Sequence, residues 1–235
     1  MISECSACRL HKTAKKFVFA RGNPNASVTF VGEAPGPLEN EQGVPFVGPA
    51  GALFWMLLAE VDFDESTVYV SNICKCLPTD DGRRFRKPRP DEVAACTFKW
   101  TFPELRALPN LRVLVAVGGV AASAILGREV AITRERGRVF RSEFCDQIIP
   151  ILHPSYLLRQ GENPELMRLT REDLKLVRTL VDEVEYKYRV SPKIAGRQAR
   201  GLEMLGCRQG ETPQGGTTGT PVNVKSPVLP SDPTI

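Results

Sequence analysis

A carboxylate and an imidazole, far apart along the chain, each follow the end of an apolar run. Glu33 lies in Gly32-Glu33-Ala34-Pro35-Gly36, at the close of Ser27–Gly32. His153 opens His153-Pro154-Ser155-Tyr156-Leu157-Leu158-Arg159, after Gln147–Leu152. A carboxylate can hold and partly deprotonate a water, and an imidazole can donate to a departing group, so the two suit acid–base work on one substrate. Taken singly, each has a plainer reading. The glycine-proline turn can carry a solvated carboxylate, and a strand-end histidine, one of only two in the chain, can be structural. Their placement at the ends of two strands favours a shared site, because open α/β sheets collect ligands outside the carboxyl ends of their strands. Gly32 and Gly36 bracket Glu33 where backbone must pass close to something. The turn is not a phosphate cradle of known type, since it has neither Gly-x-Gly-x-x-Gly nor a Walker lysine-serine pair.

The second group is sulfur. Cys5, Cys8, Cys76 and Cys96 are four thiols that suit either a closed zinc site or a [4Fe–4S] cluster, and spacing does not choose between them. Cys74, two residues before Cys76, is a rival ligand. Cys145 and Cys207 read as ordinary thiols. No apolar run approaches the roughly 18 residues of a membrane span, and polar Ser3, Glu4 and Ser6 stand where a signal peptide would be apolar. The expected setting is soluble and cytoplasmic, away from membranes. There, an odd number of cysteines, seven, argues for ligands or free thiols over disulfides. The net charge of +4 is modest, but its distribution is not. Ala7–Gly32 carries Arg9, Lys12, Lys15, Lys16 and Arg21 with no acidic residue, and Arg83, Arg84, Arg86, Lys87 and Arg89 crowd one loop. Such patches attract polyanions. Together these features point to a nucleic-acid enzyme with a metal cluster.

Four β-branched apolar runs, Ser27–Gly32, Thr67–Ile73, Arg112–Val117 and Gln147–Leu152, alternate with helical patterns. That alternation predicts an α/β fold with a mainly parallel sheet covered on both faces. Helices are expected over about Ala50–Val61, Pro90–Leu108, Val120–Leu126 and Pro164–Arg189, with Thr133–Phe140 as an extended excursion. One domain should span residues 1–190. Residues 191–235 are rich in Gly, Pro, Thr and Ser and nearly lack large apolar side chains. Such a segment cannot offset its ordering entropy by burial, so a disordered tail is expected.

Four ordered motifs carry a resemblance. Gly32-Glu33-Ala34-Pro35-Gly36 is followed by Gly43-Val44-Pro45-Phe46-Val47-Gly48-Pro49-Ala50-Gly51. Ser71-Asn72-Ile73-Cys74-Lys75-Cys76 and then His153–Arg159 complete the series. In that order they resemble family 4 uracil-DNA glycosylases over about Cys5 to Arg189. The resemblance implies a three-layer α/β/α sandwich around a four-stranded parallel sheet, and a [4Fe–4S] cluster on Cys5, Cys8, Cys76 and Cys96. It also implies hydrolysis of the N-glycosidic bond of deoxyuridine in single- or double-stranded DNA, by a chain expected to be a monomer.

On that reading Glu33 holds the attacking water and His153 donates to a uracil oxygen. Phe46 stacks on the base, Asn72 pairs with O4 and N3–H, and Glu39 crowds the pyrimidine C5 against a thymine methyl. Singly these last three read as loop packing, a strand-end cap and a solvated charge. Ser155 and Arg159 would meet phosphate, and Tyr156, Leu157 and Leu158 would form an apolar tip that fills the gap left by a flipped base. The loop after Cys76 is longer than the family's and carries Arg83, Arg84, Arg86 and Lys87. A related branch has a covalently reacting histidine where Arg86 stands, and a protonated guanidinium is a very poor nucleophile, so turnover by water is expected. Asn40 replaces the family's usual aspartate after Glu39. Two alternatives stand beside the glycosylase: a uracil or abasic-site binding protein that retains its product, and a cluster-bearing binder without uracil chemistry.

Overall fold

A computed structural model of the protein describes residues 5–82 and 84–190. The tail expected from residue 191 onward, Cys207 with it, and Arg83 lie outside the described residues.

After a single 3-10 turn (Arg9–Lys12), the elements run β1 (Ala20–Gly22), β2 (Val28–Gly32), α1 (Pro37–Gln42), α2 (Pro49–Ala59), β3 (Val68–Asn72) and α3 (Pro90–Cys96). A π-helical turn (Thr97–Thr101) leads into α4 (Phe102–Ala107), then β4 (Val113–Val117), α5 (Gly119–Leu126), α6 (Ile132–Glu135), β5 (Gln147–Ile151), α7 (Pro154–Arg159) and α8 (Pro164–Val190). The sheet order is β1-β3-β2-β4-β5. Strands β3, β2, β4 and β5 are parallel. They are buried along nearly their whole length, as expected for strands covered on both faces.

Alternation along the strands divides the core. Val28, Phe30, Val113, Val115 and Val117 pack with Leu53, Phe54 and Leu57 of α2 and with Met167, Leu174, Val177 and Val181 of α8. On the other face Val31, Leu114, Ala116 and Ile148 pack with Leu105 of α4 and Ala121, Ala122 and Ile125 of α5. The buried positions of α8 recur at helical spacing, which is the apolar stripe such a helix needs.

The α/β class and the four parallel strands agree with expectation, but three details differ. The sheet has a fifth strand, because Ala20–Gly22 pairs antiparallel with Ser71–Tyr69 of β3. The expected single helix over Pro90–Leu108 changes register at Thr97–Thr101. Pro103 lies just beyond, has no N–H to give and would clash with the carbonyl four residues back, so the wider turn accommodates it. Thr133–Phe140 is not extended throughout: it begins inside α6, and only Phe140 pairs, across to Ile148, where it covers the outer edge of β5.

Candidate active site

The carboxyl ends of β2, β3 and β5 bring the expected residues to one sheet edge. Gly32 and Asn72 are register partners at the ends of β2 and β3. The approach is so close that a Cβ on Gly32 would meet Phe46 Cζ at 2.8 Å and would collide with Asn72 Oδ1. Phe46 is buried and its ring stacks toward His153, with centroids 6.3 Å apart at 28°. Its backbone is left-handed at φ 55°, a conformation that needs surrounding support. That support is visible. Trp55 Nε1 donates to the Phe46 carbonyl at 3.2 Å, the Phe54 ring lies 4.4 Å away, and a side chain on Gly51 would strike the Phe46 backbone. On the β4 side, Gly118 has φ 94° and would place a Cβ 3.0 Å from His153 Cβ, so glycine there admits the histidine.

His153 precedes α7, and its Nδ1 is occupied. The Ser155 backbone N–H donates to it at 3.1 Å, the Ser155 Oγ lies 2.8 Å from it, and Arg159 Nη1 donates to that Oγ at 3.2 Å. A ring nitrogen that accepts from a backbone N–H carries no proton, so the proton sits on Nε2. Burial, helped by repulsion from Arg159, pushes the imidazole down to about 4. It is therefore neutral near pH 7 and offers one N–H. Burial raises Glu33 above the ordinary carboxylate range, opposed by the charges of Lys87 and Arg159. The parallel order β2-β4-β5 puts the turn that carries Glu33 and the residue that precedes α7, His153, at the same edge of the sheet.

Glu39 is buried and accepts from the Gly48 N–H at 3.2 Å, at the start of α2. A carboxylate is favourable at a helix amino end, so this residue also shapes the loop that carries Phe46. Asn40 accepts from the Lys15 N–H at 3.0 Å, tying the basic amino-terminal segment to α1. Thr101, in the π turn, donates to the Ile73 carbonyl at 2.8 Å and to the Asn72 carbonyl at 3.4 Å. This brace for Asn72 had no signal in the sequence.

Two expectations for DNA contact are corrected. Leu157 is fully buried in the core cluster that includes Leu152 and Met167. It points inward from the first turn of α7 and cannot fill a gap in DNA, while Tyr156 and Leu158 remain partly exposed. Arg86 is not free for phosphate. Its guanidinium bonds Glu92 Oε1 at 2.7 Å and Asp80 Oδ1 at 2.8 Å, and both carboxylates hold it charged. Arg84 and Lys87 are exposed, as is Arg159.

The four cysteines gather behind this edge. Cys5, Cys8, Cys76 and Cys96 line one small recess with Leu10, Phe17 and Trp100. Cys74 does not line it. That thiol is packed in the core and hydrogen-bonded to Cys96. Strand β3 has ended by Asn72, so Cys74 and Cys76 do not share a face. The pKa of the Cys96 thiol is lowered by the Cys74 contact and by the Lys75 N–H, which donates to its Sγ at 3.3 Å, and Trp100 Nε1 donates to Cys5 Sγ at 3.1 Å. Against this, burial and the neighbouring thiols push Cys76 up to about 12 and also raise Cys8. Cys76 and Cys96 are buried and Cys5 and Cys8 half-buried, and a set of thiols whose anionic forms repel one another fits a cationic centre. Among the described residues no three His, Cys, Asp or Glu are gathered as closely as a single ion requires.

Residues 19–175 match the family model of the uracil-DNA glycosylase superfamily. The chain is 37% identical to the type-4 uracil-DNA glycosylase of Thermotoga maritima over 181 residues, which cover 77% of this chain and 91% of that one. It is 35% identical to the type-4 uracil-DNA glycosylase of Archaeoglobus fulgidus over 184 residues, 75% of this chain and 87% of that one. The crystal structure of wild-type Pedobacter heparinus SMUG2 aligns with 67% of this chain and 77% of that one, at a TM-score of 0.45 and 11% identity. The chain belongs to the uracil-DNA glycosylase superfamily, among its type-4 members.

Proposed function

We propose that this protein is a DNA-repair glycosylase that hydrolyses the N-glycosidic bond of deoxyuridine in DNA, releasing uracil and leaving an abasic site. The observation that carries the reading is the convergence of Glu33, Asn72, Phe46 and His153 at one sheet edge. The target nucleotide must leave the stack to reach such a site. Uracil then lies on Phe46. The Asn72 amide donates to O4 and accepts from N3–H; cytosine presents the opposite polarity at both atoms and leaves the amide unpaired. Glu39, held by the Gly48 N–H, is the residue we assign to excluding a thymine methyl.

As the bond from C1′ to the base lengthens, the sugar becomes cationic and uracil anionic. The Nε2–H of neutral His153 donates to a uracil carbonyl oxygen and stabilises the leaving anion in a site where water is scarce. Glu33 orients the water that attacks C1′ and takes up its proton, while its charge favours the cationic sugar. Attack is by water, not by the protein, because the loop residue Arg86 is a protonated guanidinium locked between two carboxylates. Arg84, Lys87 and Arg159 serve the phosphates.

Cys5, Cys8, Cys76 and Cys96 would hold a [4Fe–4S] cluster. Four thiols spread around a recess, with N–H donors on two of them, suit ligands to separate irons of one cluster. When bound, the cluster supplies structural ties between the amino terminus and the middle of the chain, with no redox step in the hydrolysis. The protein is expected to act as a monomer in the cytoplasm. Among the described residues no helix is long and apolar enough to cross a membrane.

The test is release of free uracil from a defined oligonucleotide at catalytic enzyme levels, with Glu33→Ala and His153→Ala alongside. Stoichiometric retention without turnover would instead favour a product-binding protein.

A further inference from the structure

An extruded nucleotide leaves a gap and an unstacked neighbour, which DNA-distorting proteins cover with an apolar side chain. Leu157 is inside the core, and of the expected apolar tip Tyr156 and Leu158 are only partly exposed. Among the described residues two phenylalanines are strongly exposed, Phe85 at 65% and Phe98 at 84%. Phe98 sits on the π turn after Cys96, and its neighbour Lys99 is turned onto the Trp100 ring. Phe85 is placed differently. Its loop leaves the carboxyl end of β3, the edge that holds Asn72, Glu33 and His153. Arg84 and Lys87 flank it and are exposed.

The loop is also braced. Phe85 forms an antiparallel bridge with Thr79, and the Arg86 N–H donates to the Pro78 carbonyl at 2.9 Å. Arg86 joins Asp80 to the fully buried Glu92 and donates from Nη1 to the Lys87 carbonyl at 2.9 Å. A ring on a loop fixed in this way loses little freedom when a partner covers it. The cations on either side disfavour an apolar protein surface as that partner and favour a polyanion carrying flat rings.

We propose that Phe85 is a base-stacking side chain that receives a nucleobase of the strand bearing the target nucleotide, with Arg84 and Lys87 holding phosphates beside it. The proposal rests on the glycosylase reading above. Arg86 becomes a positioning residue for this contact and makes no contact with DNA itself.

The test uses the full-length protein and an oligonucleotide with a tetrahydrofuran abasic analogue, as a single strand and as a duplex. Loss of one aromatic stack weakens nucleic-acid binding by roughly 5- to 150-fold, so Phe85→Ala should weaken binding by about 10-fold or more. Phe85→Trp should restore affinity, and its fluorescence should be quenched by DNA beyond the background from Trp55 and Trp100 in the parent. Equal affinity of Phe85→Ala and wild type, within about two-fold, overturns the proposal, as does a Phe85→Trp signal unchanged by DNA. Wild-type uracil release, measured on the same preparation, separates the two readings. If it is present while Phe85→Ala binds normally, only the stacking proposal fails; if it is absent, the glycosylase reading fails.

Discussion

Replacing Gly32 by alanine perturbs the candidate site at its tightest point. The added Cβ would stand 2.8 Å from Phe46 Cζ and press on Asn72 Oδ1. Carbon atoms in contact prefer separations of about 3.5 Å or more, so the ring must retreat by about 0.7 Å, or the strand must move. Neither yields easily. β2 is hydrogen-bonded on both sides, and Phe46 is backed by Phe54 and held through its carbonyl by Trp55. A misplacement of about 1 Å in a catalytic constellation costs on the order of 100-fold in rate. We therefore predict that Gly32→Ala slows single-turnover uracil release by about 10- to 100-fold. It should remain folded, since the residue is extended and alanine is tolerated in that conformation. The assay pairs release kinetics with thermal melting. A variant that melts like wild type and excises uracil within two-fold of its rate would refute the packing argument for this site.

Further outcomes follow from the structure. Excision should fall on the acid side as Glu33 protonates, at a pH above the ordinary carboxylate value of 4.5 because burial raises that group. His153, pushed down to about 4, should give no loss of activity as pH rises through 6 to 7; a pH–rate profile with such a loss would mean that the imidazolium is the active form. Asn72→Asp should reduce discrimination against cytosine, measured as the ratio of excision from U- and C-containing oligonucleotides, and an unchanged ratio would exclude the amide from recognition. Cys96→Ala should abolish bound iron and visible colour and lower thermal stability, whereas zinc in place of iron in the wild-type protein would exclude the cluster. Arg136→Met should destabilise the fold by about 3–5 kcal/mol in urea titrations, since it strands buried Asp173 without its bidentate partner, while activity per folded molecule is kept.

Much of the scaffold was legible because buried parallel strands read as short runs rich in β-branched and apolar residues, and Val28–Gly32, Val68–Asn72 and Val113–Val117 are such runs. Ala20–Gly22 is three residues long, half-buried and at an edge, too short to show any period. The Pro37–Gln42 helix is hidden behind a proline-glycine turn. The π turn arises from a conflict between helical pattern and Pro103 that pattern alone does not resolve. At the site, Glu33, Asn72, Phe46 and His153 were readable as residues, and topology brings them together. What sits around them was not. Tyr156-Leu157-Leu158 is a continuous apolar stretch without periodicity, so the sequence does not say which member faces the core. Arg86 counted as one cation in a basic loop, yet its meaning depends on Glu92 and Asp80 folding over it. The bond from Ser155 to His153, which sets the tautomer, depends on α7 beginning at Pro154, and a sequence gives such starts only loosely.

The central claim is that Glu33 and His153 act together on one extruded uracil. The most direct test is single-turnover release of free uracil from a defined single-stranded oligonucleotide by wild type, Glu33→Ala, His153→Ala and the double variant. General acid–base and oxyanion contributions of this kind are each worth on the order of 100-fold or more. Each single variant should fall by at least that factor, and the double variant by less than the product of the two. Single variants that release uracil at the wild-type rate would contradict the account.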